Sequence, residues 1–118
     1  GGGPNLLTAS EVKITRADEG FDPSYEARRP HTAAGLTADR KLLLVTVDGR
    51  TAVAGGMTFP ELAAYMKSLG CTDAMRFDGG GSTTLWLAGA GVVNHPCDGF
   101  ERPVVSCLLV WYQEGSAF

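Results

Sequence analysis

Thr58-Phe59-Pro60-Glu61-Leu62-Ala63-Ala64-Tyr65-Met66-Lys67-Ser68-Leu69-Gly70 runs into Ala74-Met75-Arg76-Phe77-Asp78-Gly79-Gly80-Gly81-Ser82-Thr83-Thr84 after three residues. The first stretch predicts the one main helix, about Thr58–Leu69. Thr58 and Glu61 have capping-box spacing, Pro60 falls in the first turn where its missing N–H costs nothing, and Gly70 ends the helix. Phe59, Leu62, Ala63, Met66 and Leu69 share one helical face, a stripe assigned to packing and not to chemistry. The second stretch predicts a strand, Ala74–Phe77, broken only by Arg76, then a glycine loop and a second strand, Thr83–Leu87. Three glycines in a row reach φ > 0 without steric penalty, so their amides can turn inward toward an anion. Asp78 and Ser82 flank them with a carboxylate and a hydroxyl, polar groups suited to a sugar or phosphate.

Working outward, Val12 and Ile14 alternate with polar neighbours in Glu11–Thr15, as in a half-buried strand. Leu6-Leu7 precede them, and Gly1-Gly2-Gly3-Pro4 has no assignment from composition. Ala17–Tyr25 is a surface loop rich in Asp, Gly and Pro. Arg28-Arg29-Pro30-His31-Thr32 sets two guanidinium groups and an imidazole ahead of a small-residue strand, Thr32–Leu36; on residue type alone this is a solvated loop. Thr37–Arg40 predicts a hairpin turn into Lys41–Val47, the most apolar segment and the expected central strand. Asp48-Gly49 marks a turn, and Thr51–Val53 another short strand. Val92-Val93-Asn94 precedes a second polar loop, His95–Pro103, and Val104–Tyr112 is apolar enough to predict a final strand buried on both faces. Gly115–Phe118 is a tail. About seven short strands and one helix predict an α+β fold with a largely antiparallel sheet.

With 118 residues, the chain makes at most one domain; 44% hydrophobic and 19% charged residues describe a globular protein. A net charge of −3, with no basic block, argues against a nucleic-acid partner. No apolar run approaches the roughly 20 residues of a membrane span. Cys71, Cys97 and Cys107 lack CxxC spacing, which argues against zinc; three buried thiols are expected, rather than one disulfide and a spare. Asp78, Asp98 and Glu101 are the carboxylates that could gather around a hard cation, but no EF-hand or His-rich spacing accompanies them. Neither a metal nor another cofactor is expected.

Several ordered motifs carry a resemblance. Pro60-Glu61-Leu62-Ala63, Asp73–Thr84, Val92-Val93-Asn94-His95-Pro96 and Glu101-Arg102-Pro103-Val104 are together similar to the phosphodiester glycosidase domain family. The likeness runs from Gly1 to about Tyr112. Arg28–Thr32 resembles the family's Arg/Pro/Arg-Thr stretch, with His31 where arginine is more usual. Upstream family sequence, including an Asn-Gly-Gly-Phe motif, is not present, so residues 1–118 are expected to form the C-terminal part of a family domain. The resemblance also implies an extracellular or cell-envelope setting.

It further implies cleavage of the anomeric C–O bond of a sugar-1-phosphodiester, small-molecule or polysaccharide, with release of an N-acetylglucosamine-like sugar. A phosphate monoester has a second pKa of roughly 6 and leaves more readily than an alcohol, so charge stabilisation outweighs general-acid help. The residues expected to carry catalysis are Asp78, His31 and Arg102. Those expected to bind substrate are Arg28, Thr32, Gly79, Gly80, Gly81, Ser82, Thr83, Asn94 and Asp98. Asp78 would stabilise the cation, orient the sugar or activate water, with Asp98 and Glu101 as alternative carboxylates. Two other readings fit the same loops: a non-catalytic carbohydrate- or phosphate-binding module, and a fragment that acts only with a complementing chain or as a homo-oligomer.

Overall fold

A computed structural model describes residues 2–115. In chain order the elements are β1 (Gly2–Thr8), β2 (Glu11–Val12), β3 (His31–Thr37), β4 (Leu42–Val47), α1 (Phe59–Ser68), β5 (Cys71–Phe77), β6 (Trp86–Leu87) and β7 (Gly91–Val92). Five strands form one antiparallel sheet in the order β2-β1-β5-β3-β4, and β6 and β7 make a separate small hairpin. The fold is α+β, as the sequence predicts.

Local chemistry accounts for α1. The Thr58 hydroxyl accepts from the Glu61 amide at 3.4 Å, and the Glu61 carboxylate accepts from the Thr58 amide at 2.9 Å, so two of the orphan donors at the helix start are satisfied reciprocally. Gly70, at φ +89°, takes the chain out of the helix and into β5. The helix sets Phe59, Leu62, Ala63 and Met66 into the core, where Leu62 and Met66 meet Leu6, Leu7, Ala33 and Ala74. Each large side chain so buried contributes about 1.5–3 kcal/mol. Leu69, the last residue of the apolar stripe, is 39% exposed because it lies beyond the final helical residue.

The β3–β4 hairpin pairs His31 with Val47 through to Leu36 with Leu42. Its turn is closed by the Arg40 amide donating to the Thr37 carbonyl at 2.9 Å. Alternation along β3 and β5 sends His31, Ala33, Ala74 and Arg76 to the helix side. Leu36, Leu42, Leu44 and Met75 are exposed on the sheet, and no helix among the described residues covers them.

Several sequence expectations are corrected. The glycine-rich start is part of β1, fixed by pairing with β5 in an irregular register rather than by β propensity. Lys41–Val47 gives an edge strand, not a central one, since an apolar run signals burial but not position in a sheet. Glu11–Thr15 forms strand only at Glu11–Val12 and Thr83–Leu87 only at Trp86–Leu87, which pairs with Gly91–Val92. Thr51–Val53 is a bend, its Thr51 hydroxyl capping the Ala54 amide at 3.0 Å. Val104–Tyr112 is not a buried strand but an exposed, irregular segment: Val105 and Leu109 are fully and three-quarters exposed. No backbone ladder joins Val104–Trp111 to another strand among the described residues. The tail expected over Gly115–Phe118 lies, beyond Gly115, outside the described residues.

Candidate functional site

β5 ends at Phe77, and Asp78 leads into a tight turn over Gly80–Ser82. The glycine amides are largely spoken for. Gly79 N donates to the Asp78 carboxylate at 3.0 Å, and Gly80 N donates to the Pro30 carbonyl at 3.1 Å. The inward-facing nest expected from the three glycines is thus mostly closed by the loop's own hydrogen bonds, which tie it to the start of β3. The glycines serve a second purpose, close approach. A Cβ on Gly79 would stand 2.7 Å from the Pro30 carbonyl oxygen and overlap the Arg76 guanidinium. A Cβ on Gly81 would overlap the side chains of Arg102 and Asp98. Backbone cannot yield as a side chain can, so Gly79→Ala is expected to cost about 2 kcal/mol in chemical denaturation, and Gly81→Ala distinctly less.

On the open face of the sheet, Asp78, Ser82, Thr32 and Phe77 line a cleft of about 340 Å³, with Val104, Cys107 and Leu108 closing its far wall. Asp78 is exposed there. The Thr32 hydroxyl is buried and has no hydrogen-bond partner among the described residues, and the same holds for Thr83, which is 1% exposed. Buried hydroxyls are usually paired, so two unpaired ones on and beside the glycine loop mark polar capacity not used by the fold.

The cations expected at the site are differently placed. Arg28 forms an ion pair with Glu61 at the start of α1 and donates to the Gly56 carbonyl at 3.0 Å. Arg102 is held by Asp98, with its Nη2 at 2.7 Å and its Nε at 2.8 Å from one carboxylate oxygen. His31 is fully buried, and both ring nitrogens are occupied. Arg76 Nε donates to His31 Nδ1 at 2.9 Å, so Nε2 carries the proton that reaches the Met57 carbonyl at 2.8 Å. Burial, then the Arg76, Arg29 and Arg50 charges, outweigh the Met57 hydrogen bond and pull the imidazole down to about 4. The ring lies on the helix side of β3, outside the lining of the cleft, and both its nitrogens are engaged within the protein.

Asn94 clasps the loops. Its Nδ2 donates to the Thr83 carbonyl at 2.9 Å and to Asp48 at 3.2 Å, while its Oδ1 accepts from the Leu85 amide at 2.8 Å. Asp48 also accepts from the His95 amide at 3.0 Å. Asp48 and Arg76 were not singled out in the sequence. Arg76 had a signal, a lone charge inside an apolar strand next to the loop; Asp48 had only the appearance of a turn residue. Asp78, Asp98 and Glu101 do not gather: no group of three metal-ligating side chains occurs among the described residues. All three thiols are free, and only Cys71 is buried. Cys97 is half-buried and Cys107 lies on the irregular C-terminal segment, contrary to the three buried thiols expected.

The sequence matches the model of the phosphodiester glycosidase domain over residues 1–111. The chain belongs to the phosphodiester glycosidase family. Among relatives of this glycosidase-family chain is the SPbeta prophage-derived protein YomE of Bacillus subtilis strain 168, 36% identical over 87 residues, or 74% of this chain and 13% of that one. The zebrafish N-acetylglucosamine-1-phosphodiester alpha-N-acetylglucosaminidase catalytic domain, auto-inhibited by its pro-peptide, superposes with a TM-score of 0.66 at 29% identity. That match covers 78% of this chain and 33% of the zebrafish one. A hypothetical protein from Synechocystis shares the fold, with a TM-score of 0.70 at 22% identity over 82% of this chain and 18% of its own. The phosphodiester glycosidase chain described here therefore spans a third or less of these relatives.

Proposed function

We propose that this domain hydrolyses a sugar-1-phosphodiester, releasing an N-acetylglucosamine-like sugar, with the glycine-loop cleft holding the scissile bond. The observation that carries the reading is the cleft itself, where an exposed Asp78 carboxylate, the Ser82 side chain and the unpaired Thr32 hydroxyl lie together beneath a family-matching loop. Water adds to the anomeric carbon as the C–O bond to phosphate breaks. The bonding pair leaves on the phosphate monoester, and one water proton passes to a base or to solvent. Asp78 stands as the negative charge for the oxocarbenium-like centre. Ser82 supplies a hydrogen bond to a sugar hydroxyl, and Thr32 shares the lining of the cleft. Arg102 and Asp98, as a pair packed on Gly81, shape the other side of the loop, and Asn94 fixes it. An extracellular or cell-envelope setting, with polysaccharide among the possible substrates, fits the resemblance of the motifs.

The uncovered sheet face supports a second reading, in which turnover requires further polypeptide. Leu36 and Leu42 are each about half exposed on that face, an apolar area that folded proteins normally cover. Hydrolysis of an N-acetylglucosamine-1-phosphomethyl ester by the 118-residue chain, beside a longer chain extended upstream, separates the two. Release of N-acetylglucosamine by the short chain supports a self-sufficient domain; release by the long chain alone supports the second reading. Silence of both chains overturns the hydrolase assignment and leaves a sugar- or phosphate-binding module.

A further inference from the structure

The cations with counter-ions are not the ones best suited to receive a phosphoryl group. Arg28 is neutralised by Glu61 and Arg102 by Asp98. A different set surrounds the glycine loop without an acid in contact. Arg50 is exposed, and its Nη1 stands 3.4 Å from the place a Cβ would take on Gly80, a glycine at φ +60°. Arg76 is 3% exposed, its guanidinium against Gly79, and it donates to His31 and to the Gly3 carbonyl rather than to a carboxylate. Arg29 is half-buried over the Tyr25 ring at 4.4 Å, donates to the Ser24 carbonyl, and has an Nε with no partner among the described residues. None of the three forms an ion pair among the described residues.

We propose that Arg50, backed by the buried charges of Arg76 and Arg29, forms a phosphoryl-oxyanion site on the Gly80 side of the loop. This rests on the hydrolase reading for its purpose but not for its existence. Three guanidinium groups near one loop repel one another, and Asp78 is the acid whose charge reaches Arg76 without touching it. An anion on the Arg50 guanidinium relieves that repulsion, and the buried charges behind it strengthen the attraction beyond that of a lone surface arginine. Arg50 offers a planar fork that matches two phosphate oxygens, and it is exposed beside the buried Gly80, whose own amide is already bonded to the Pro30 carbonyl. Arg76 is too deeply buried to touch the ligand and acts as a positioning residue, holding charge beneath the loop.

The test is a titration of the 118-residue chain with inorganic phosphate at constant ionic strength, followed by calorimetry and by 31P line width. Saturable binding is expected, weakened about tenfold or more in Arg50→Gln, partly retained in Arg50→Lys, and unchanged in Arg40→Gln, which removes an equal charge from the distant β3–β4 turn. Circular dichroism checks that each variant folds. Equal affinity in wild type and Arg50→Gln, or no binding by the wild type, overturns the site. The hydrolase reading fails separately. Arg50-dependent phosphate binding with no turnover of the sugar phosphodiester keeps the site and removes the enzyme, whereas turnover without phosphate binding does the reverse.

Discussion

Asp78→Asn is expected to lower kcat on a sugar-1-phosphodiester by about a thousandfold, with the melting temperature and KM little changed. The substitution exchanges one carboxylate oxygen for an amide nitrogen of nearly the same size. The remaining oxygen can still accept from the Gly79 amide, the 3.0 Å contact that shapes the loop, so the backbone has no reason to move. What disappears is a unit of negative charge on the cleft wall, where the proposed hydrolysis would develop positive charge on the sugar. Removing such a group raises the barrier without weakening the ground-state complex, and the loss therefore falls on kcat. The measurement is a steady-state assay in whichever chain length turns over, with denaturation alongside. Wild-type kcat in the variant would remove Asp78 from the mechanism.

The second large effect is on stability. Burial holds His31 neutral in the folded chain, with its imidazole near 4 against 6.5 in the unfolded one. Between those values the unfolded chain binds the extra proton and the folded chain does not, so stability falls as pH is lowered through that window. The greatest slope is about 1.4 kcal/mol per pH unit, which gives a loss of about 2 kcal/mol between pH 6.5 and pH 5. Urea denaturation at the two pH values checks it, and His31→Gln should flatten the difference. An equal loss in that variant would assign the acid sensitivity to other groups.

Much of the architecture was legible because it is written locally. Thr58, Pro60, Glu61 and Gly70 specify helix ends through contacts within a turn or two, and Asp78-Gly79-Gly80-Gly81 marks a loop, though not the neighbours that crowd it. The misses were in questions that sequence-local chemistry cannot answer. Leu42, Leu43 and Leu44 announce an apolar strand but not which neighbours it has; the chain places it at the sheet's edge. Val104–Trp111 announces a wish for burial, yet it pairs with no strand among the described residues. At the site, the sequence singled out Asp78, Thr32 and Ser82, which the fold brings to one cleft. It counted Arg28 and Arg102 as available charges because it could not see that Glu61 and Asp98 already answer them, and it passed over Arg76 because a buried cation looks like an interruption rather than an element of design.

Asn94 gives the clasp a chemical clock. Its side chain imitates a peptide unit, donating and accepting as a missing stretch of backbone would, and it joins Thr83, Leu85 and Asp48 at one point. Hydrolysis of that amide would change no bond length enough to notice and would leave the outline of the residue intact. The new oxygen could give nothing to the Thr83 carbonyl and would meet the Asp48 carboxylate with like charge. A folded sample could thus age at a single atom, keeping its shape elsewhere while the two loops beside the glycine turn lose their common anchor.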